Sequence, residues 1–335
     1  MLNLEIFEEK VITDFYKLLG DDFIGHISNK VQSSKLKYSI KNYLTNSLIK
    51  EILFSRPDRL YEIHLDFIQI IDKTCTEIDY DEYLTVRVKK IKSKTDKILI
   101  SKYNQTIKNL SSIFDYEYYI SSKKKRSYGL SKIIGKNTCT YCNRLYTFTI
   151  IQQDKKTKRV NNSTRIARPQ FDHWFPKKKY PLFALSFYNL IPSCSVCNSS
   201  VKGDESFKLS THLHPYIKEP NEKFVFSYKF DASNNPMVIL KTTGAKAEQT
   251  AKDLKISEVY EEHSQYELKE LIDLRFKYSE NYLDILFNKS FDLKSVSKND
   301  IYRMVFGVEI DPNNFHKRPL SKFKNDILRE LKVIK

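Results

Sequence analysis

The sequence predicts an α+β protein in which helical flanks surround a small zinc-bearing ββα core. Three observations predict it. Apolar residues recur at three- and four-residue intervals over 1–128 and again over 246–335. Short β-branched and aromatic runs gather between those regions. Four of the five cysteines form two Cys-x-x-Cys pairs in that middle stretch.

In chain order, "LEIFEEKVITDFYKLL", "IKNYLTNSLIKEILF" and "RLYEIHLDFIQIIDK" each carry the helical period. "VKKIKSKTDKILISKYNQTIKNLSSIF" continues it with lysines on the polar side. Glycine is rare throughout this region. The run "SSKKKRSYG" at 121–129 interrupts the pattern and marks the boundary of a middle region, 129–245. There "RLYTFTIIQ" reads as a strand followed by a basic turn, "DKKTKRVNN". Further on, "KFVFSYKFDASNNPMVILKT" reads as a hairpin bending at Asn-Asn-Pro. Helices return in "AEQTAKDLKI", "SQYELKELIDLRFKYSENYLDILF" and "SKFKNDILRELKVI". No internal repeat or low-complexity segment appears.

The 335 residues suffice for two or three cores, and the richness in Tyr and Phe excludes general disorder. A formal net charge of +16 points to a polyanionic partner, for which nucleic acid is the usual candidate; a well-solvated basic surface is the alternative. The N-terminus lacks the basic segment and small-residue cleavage site of a signal peptide, and no apolar stretch is long enough to span a bilayer. A cytoplasmic protein with no membrane partner is expected. Five cysteines are too few for a secreted disulfide scaffold of this length.

Cys139 and Cys142, with Cys194 and Cys197, are therefore read as ligands of one tetrahedral Zn²⁺. Four thiolates leave no open position for substrate, so the zinc is structural, and it closes a loop of some fifty residues. Cys75 stands alone and is assigned to the core. In "IPSCSVCNSSVKGD", Ser193 or Ser195 can cap a short helix that Gly203 ends. That helix places Cys194 and Cys197 on one side, and Asn198 and Lys202, four residues apart, on a neighbouring side. A carboxamide oxygen is a hard ligand suited to Mg²⁺, and an ammonium suits a phosphate.

The stretch "QFDHWFPKKKYP" at 170–181 collects the remaining chemistry. Asp172 offers a hard anionic oxygen, and His173 titrates near neutrality and can take a proton from water. Neighbours on an ideal strand face opposite ways, so the strand must end or twist there for both to serve one site. Pro176 agrees with such an ending. An isolated Asp-His pair can equally be a hydrogen-bonded structural pair.

The ordered set Asp172-His173 with Pro176, Asn189-Leu190, Cys194-x-x-Cys197-Asn198 and Lys202-Gly203 resembles the HNH nuclease family, a ββα-metal fold. Cys139-x-x-Cys142 fits the zinc-containing branch of that family. The resemblance covers 139–203, and three residues separate Asn198 from Lys202 where two are common. It implies that His173 is the general base and that Asn189 holds the loop carrying it. It also implies that Asp172 and Asn198 bind a catalytic Mg²⁺ or Mn²⁺. The ββα unit then has strands at about 169–174 and 189–193, a short helical insertion "YPLFALSFY", and a helix at about 195–202. The implied reaction is phosphodiester hydrolysis to a 5′-phosphate and a 3′-hydroxyl, declining below about pH 6.

Lys177, Lys178 and Lys179 would then meet flanking phosphates, with Lys202 beside them; a solvated lysine run is the alternative. Trp174 and Phe175 are assigned to the core. "THLHPY" would bring His212 or His214 near the site unless it is an ordinary loop. DNA is the preferred substrate and RNA an alternative. The lysine- and tyrosine-rich helical envelope around "CTYCN" and "NLIPSCSVCN" resembles bacterial anti-phage nucleases of the Septu type, which implies an ATPase partner. From another class, a non-catalytic zinc-stabilised nucleic-acid-binding module also accounts for the cysteines and lysines.

Overall fold

The computed structural model describes residues 2–4, 9–153, 160, 164–203, 205–277, 285 and 297–334. It is a mostly helical α+β protein with small antiparallel sheets. Among the described residues eight α-helices precede the first strand: α1 Glu9–Leu19, α2 Phe23–Ser33, α3 Tyr38–Tyr43, α4 Asn46–Phe54, α5 Pro57–Ile71, α6 Glu77–Arg87, α7 Lys94–Ile113 and α8 Lys124–Ile134. Their apolar faces meet in a cluster that runs without a break from Leu4 into the cysteine region and on to Ile334.

Side chains at the helix ends explain where the periodic runs break. The run at 40–54 divides into α3 and α4 because the Thr45 hydroxyl accepts the Leu48 N–H at 3.2 Å and starts a new helix. Ser93 and Asp96 form a capping box, so α7 begins at Lys94 and the lysines of 89–92 lie outside it. The stretch 121–129, expected to mark a boundary, is largely helical. It contributes α8, which packs on α1 and buries Tyr128. α2, α6 and the helix Lys298–Phe306 lie within the regions expected to be helical, outside the individual runs quoted for them.

Strand β1 is only Ile150–Ile151, paired with β2, Arg165–Ala167; most of "RLYTFTIIQ" is extended chain, tied by one bridge from Tyr146 to Thr138. The basic turn expected at 154–162 lies almost wholly outside the described residues. β3 (Gln170–His173) and β4 (Leu190–Ser193) are antiparallel, with Asp172 opposite Ile191 and His173 opposite Leu190. Single turns of 3₁₀ helix, Pro181–Phe183 and Phe187–Asn189, occupy the connection. A short helix of π type, Val196–Lys202, follows β4 and stops at Gly203, where φ is 53°. Ser195 occupies its cap position without a side-chain cap bond.

β5 (Lys223–Phe230) and β6 (Pro236–Thr243) form the expected hairpin, with Asn234 at positive φ in the bend. Phe226 of β5 packs against Tyr260 and Phe323 of the last third of the chain. The expected helix at 247–256 ends at Asp253, and left-handed Lys255 starts another at Ile256–Glu261. The helix expected from 264 opens with a π turn and continues as Lys269–Lys277, beyond which 278–284 lie outside the described residues. Ser321–Glu330 is helical as expected. Among the described residues, no helix is long and apolar enough to cross a membrane.

Candidate functional site

The two Cys-x-x-Cys pairs, far apart in the chain, meet in the interior. Their four sulfurs lie within 4.8 Å of one another, all four cysteines are buried, and none is in a disulfide. A tetrahedron of Zn–S bonds of about 2.3 Å has sulfur–sulfur edges of roughly 3.8 Å, so the donor set fits a structural Zn²⁺. Backbone N–H groups of Arg144 and Cys197 point at the sulfurs of Cys142 and Cys194 at 3.4 Å, which favours negative charge there. Hydrogen bonding from Cys139 and then Cys142 pulls the Cys194 thiol far below its usual range. The first pair is pinned to β4 by Thr140 N–H donating to the Pro192 carbonyl at 3.1 Å. It is pinned to the last third of the chain by Tyr260, whose hydroxyl donates to the Cys142 carbonyl at 2.5 Å.

Beside this cluster β3 ends at a cavity of about 650 Å³. Asp172, His173, Asn198, Lys177 and Lys178 all line it, so residues from two separate segments of the expected motif share one space with part of the lysine run. Both Asp172 and His173 reach it because β3 stops at His173; the next residue, Trp174, is fully buried against Phe175 and His214.

His173 is 7% exposed. Its Nε2 lies 2.9 Å from the Ala184 carbonyl, which can only accept, so Nε2 carries the proton and Nδ1 keeps its lone pair. Burial, reinforced by the charges of Lys177 and Lys202, pushes its pKa down to about 3, against the Ala184 bond that raises it. The ring is neutral at pH 7. Tyr116 meets it edge-on with centroids 4.6 Å apart.

Asn189 is fully buried and holds the histidine's surroundings by three bonds. Its Oδ1 accepts the Phe175 N–H at 2.7 Å, and Nδ2 donates to the carbonyls of Phe175 and Phe183 at 3.1 and 2.9 Å. Phe183 precedes Ala184, so one carboxamide fixes both the chain after His173 and the carbonyl that orients its ring.

Asp172 is 4% exposed, and its carboxylate is already engaged. The Tyr141 hydroxyl donates to Oδ2 at 2.5 Å, and the Lys202 ammonium sits 3.2 Å from the same oxygen. Burial raises the Asp172 pKa, opposed first by the charge of Lys202 and then by the Tyr141 bond. Lys202, expected to face a phosphate, is 1% exposed and also donates to the His173 carbonyl at 3.0 Å. The i→i+5 winding of its helix carries it to a different azimuth from the one four residues give on an α-helix. Asn198 donates through Nδ2 to Gln170 Oε1 at 2.8 Å, and its own oxygen has no protein hydrogen bond among the described residues.

For a hard divalent cation Asp172 and Asn198 thus offer one carboxylate and one carboxamide oxygen, and Glu117, paired with Lys177, adds a second carboxylate to the lining. These are donor types that Mg²⁺ takes. The Lys202 ammonium offsets part of the carboxylate's charge.

Of the lysine run, Lys177 lies over the Tyr116 ring at 5.0 Å and pairs with Glu117 at 2.7 Å. Lys178 is exposed at the cavity wall, and Lys179 lies outside it, its carbonyl accepting the Tyr80 hydroxyl at 2.6 Å. His212 is bonded to Asp253 at 2.8 Å, and His214 is buried on Trp174; neither lines the cavity. Cys75 is buried as expected, and the Tyr103 hydroxyl donates to its sulfur at 2.8 Å.

Sequence reasoning missed Tyr116, Glu117 and Arg168 as lining residues, and Tyr141 as the partner of Asp172. Tyr141 had one available signal, its place between the two cysteines of "CTYC". Tyr116 and Glu117 had none. No protein-family model matches the chain, and neither a curated protein nor a solved structure matches it.

Proposed function

We propose that the chain is a metal-dependent nuclease of the HNH type that hydrolyses phosphodiester bonds in nucleic acid, DNA ahead of RNA. The observation that carries this reading is the fixed, neutral His173. Its Nε2–H is spent on a carbonyl that Asn189 holds, and its Nδ1 lone pair remains available in a cavity shared with Asp172 and Asn198. A histidine that merely stabilised the fold would need no such company.

Under this reading Nδ1 of His173 takes a proton from the attacking water, which a neutral imidazole can do and an imidazolium cannot. Asp172 and Asn198 would hold Mg²⁺, which when bound supplies Lewis-acid stabilisation of charge on the phosphoryl and leaving oxygens. Tyr141 and Lys202 fix the Asp172 carboxylate from two sides, so its orientation does not have to be organised at the moment of reaction. Lys177, Lys178 and Arg168 line the same space and supply positive charge for the phosphates on either side of the scissile bond.

The Lys202–Asp172 pair also favours a second reading, a zinc-stabilised nucleic-acid binder without catalysis, because an ammonium already stands against the carboxylate. Supercoiled plasmid incubated with the pure protein and Mg²⁺ separates the two. We expect nicking that His173→Ala lowers by about 10²–10⁴-fold, the usual worth of a positioned general base. Equal nicking by both proteins, or none by either with Mg²⁺ or Mn²⁺, leaves the binder.

A further inference from the structure

The basic residues of the run at 121–129 take no part in the chemistry above, yet they border a second large cavity. This one, about 740 Å³, lies between the α1–α2 turn and the segment leading into α8. Its wall includes Lys17, Lys123, Lys125, Tyr118 and Tyr119, with Asp21 and Asp22 as the opposing charges. Arg126 is committed to the fold, donating to the carbonyls of Leu19 and Tyr119. The lysines differ: Lys17, Lys123 and Lys125 are exposed, and none is in an ion pair among the described residues.

Tyr118 stands among these charges with 52% of its surface open. Lys30 and Lys123 hold their ammoniums 5.1 and 5.3 Å from its ring centre. The ring belongs to a π turn, Glu117–Ser121, closed by Ser122 N–H donating to the Glu117 carbonyl at 2.9 Å. Such turns recur at functional sites. This turn is shared: Tyr116, Glu117 and Ser121 line the cavity of His173, and Tyr118 and Tyr119 line the second one.

We propose that the second cavity and Tyr118 bind single-stranded nucleic acid, as the continuation of a strand whose scissile bond lies beside His173. The inference rests on the nuclease reading for what occupies the first cavity, and adds the substrate class. An exposed ring with lysine ammoniums beside it matches a base on a phosphate backbone. In a duplex the base faces are stacked on each other and closed to a protein ring, so the strand must be single or locally opened.

Fluorescence anisotropy of a labelled single strand, its duplex and the same sequence as RNA, without added divalent cation, tests this with the full chain. The single strand binds more tightly than the duplex. Tyr118→Ala weakens it roughly tenfold while Tyr118→Phe holds it within about twofold. Lys123→Ala weakens it and lowers the slope against salt by about one ion, whereas Lys94→Ala, an exposed lysine on α7, does not. Equal binding of the RNA strand supports the surface equally. Duplex binding as tight as single-strand binding, or a Tyr118→Ala protein that binds like wild type, overturns it. If His173→Ala leaves cleavage unchanged while Tyr118→Ala loses the strand, the nuclease reading falls and the surface stands; normal strand binding by Tyr118→Ala beside a cleavage-dead His173→Ala gives the reverse.

Discussion

The two ends of the unit built from 139–142, β3, β4 and Val196–Lys202 have opposite chemistry. At one end four soft sulfurs are buried within 4.8 Å of each other and closed to substrate. At the other, oxygen and nitrogen donors line an open cavity of about 650 Å³. The same short segments supply both. Tyr141 lies between the two cysteines of the first pair and reaches Asp172; the helix that carries Cys197 at its start carries Lys202 at its end and reaches the same carboxylate. Soft closed donors make an anchor, and the anchor lets a small sheet of four-residue strands aim side chains at an open space.

The strongest way to break the comparison is to remove the anchor. Cys194→Ser takes away one sulfur and with it a metal whose binding supplies roughly 10–16 kcal/mol in zinc-finger peptides at neutral pH. The protein as purified is expected to contain one Zn²⁺ per chain by elemental analysis. The variant should lose it, together with the cooperative melting transition of the middle region and any activity of the cavity. A variant that lost zinc but melted like wild type would show that the two ends are independent.

Tyr141→Phe sharpens the comparison by cutting the link and sparing both ends. The ring stays in the core, while Asp172 loses one charge-assisted hydrogen bond worth about 1.5–3 kcal/mol. Zinc content should remain one per chain, melting should fall by a few degrees, and plasmid nicking should fall with it. Unchanged nicking would place the carboxylate's orientation under Lys202 alone.

What the sequence made legible follows the same division. The two Cys-x-x-Cys pairs and both strands of the β3–β4 pair could be read because each is a short local pattern in the chain. The geometry that finishes the site could not. Asn143 donates to the carbonyls of Phe315 and Arg318 and accepts from Lys322, tying the first cysteine pair to residues more than 170 positions away. A buried carboxamide with distant carbonyl partners leaves no mark in local periodicity. Lys202 was misplaced for a different reason: its position was read on α-helical winding, and the chain adopts π winding. Tyr116 and Glu117 reach the cavity from the helical flank, where nothing in "FDYEYYISS" separates lining residues from core.

The smallest expected effect concerns histidines that belong to neither end. His64 is buried between Tyr80 and Tyr180, its Nε2 has no hydrogen-bond partner among the described residues, and burial pushes its pKa from 6.5 down to about 3. His214, buried on Trp174, is pushed down for the same reason. In the unfolded chain both titrate near 6.5. Between that pH and the folded value the unfolded state binds protons that the folded state refuses, so stability is complete above about pH 6.5 and falls as the solution is acidified. Each such histidine contributes a slope of about 1.4 kcal/mol per pH unit within that window. Melting temperature is expected to drop between pH 6.5 and 5, before most carboxylates titrate. His64→Leu removes one of four proton-refusing sites, His173 and His316 being the other two, and should lessen the drop. A melting temperature independent of pH over that range would mean that the pocket of Tyr80, Tyr180 and Phe183 admits water, and that His64 titrates in the folded protein as it does in the unfolded one.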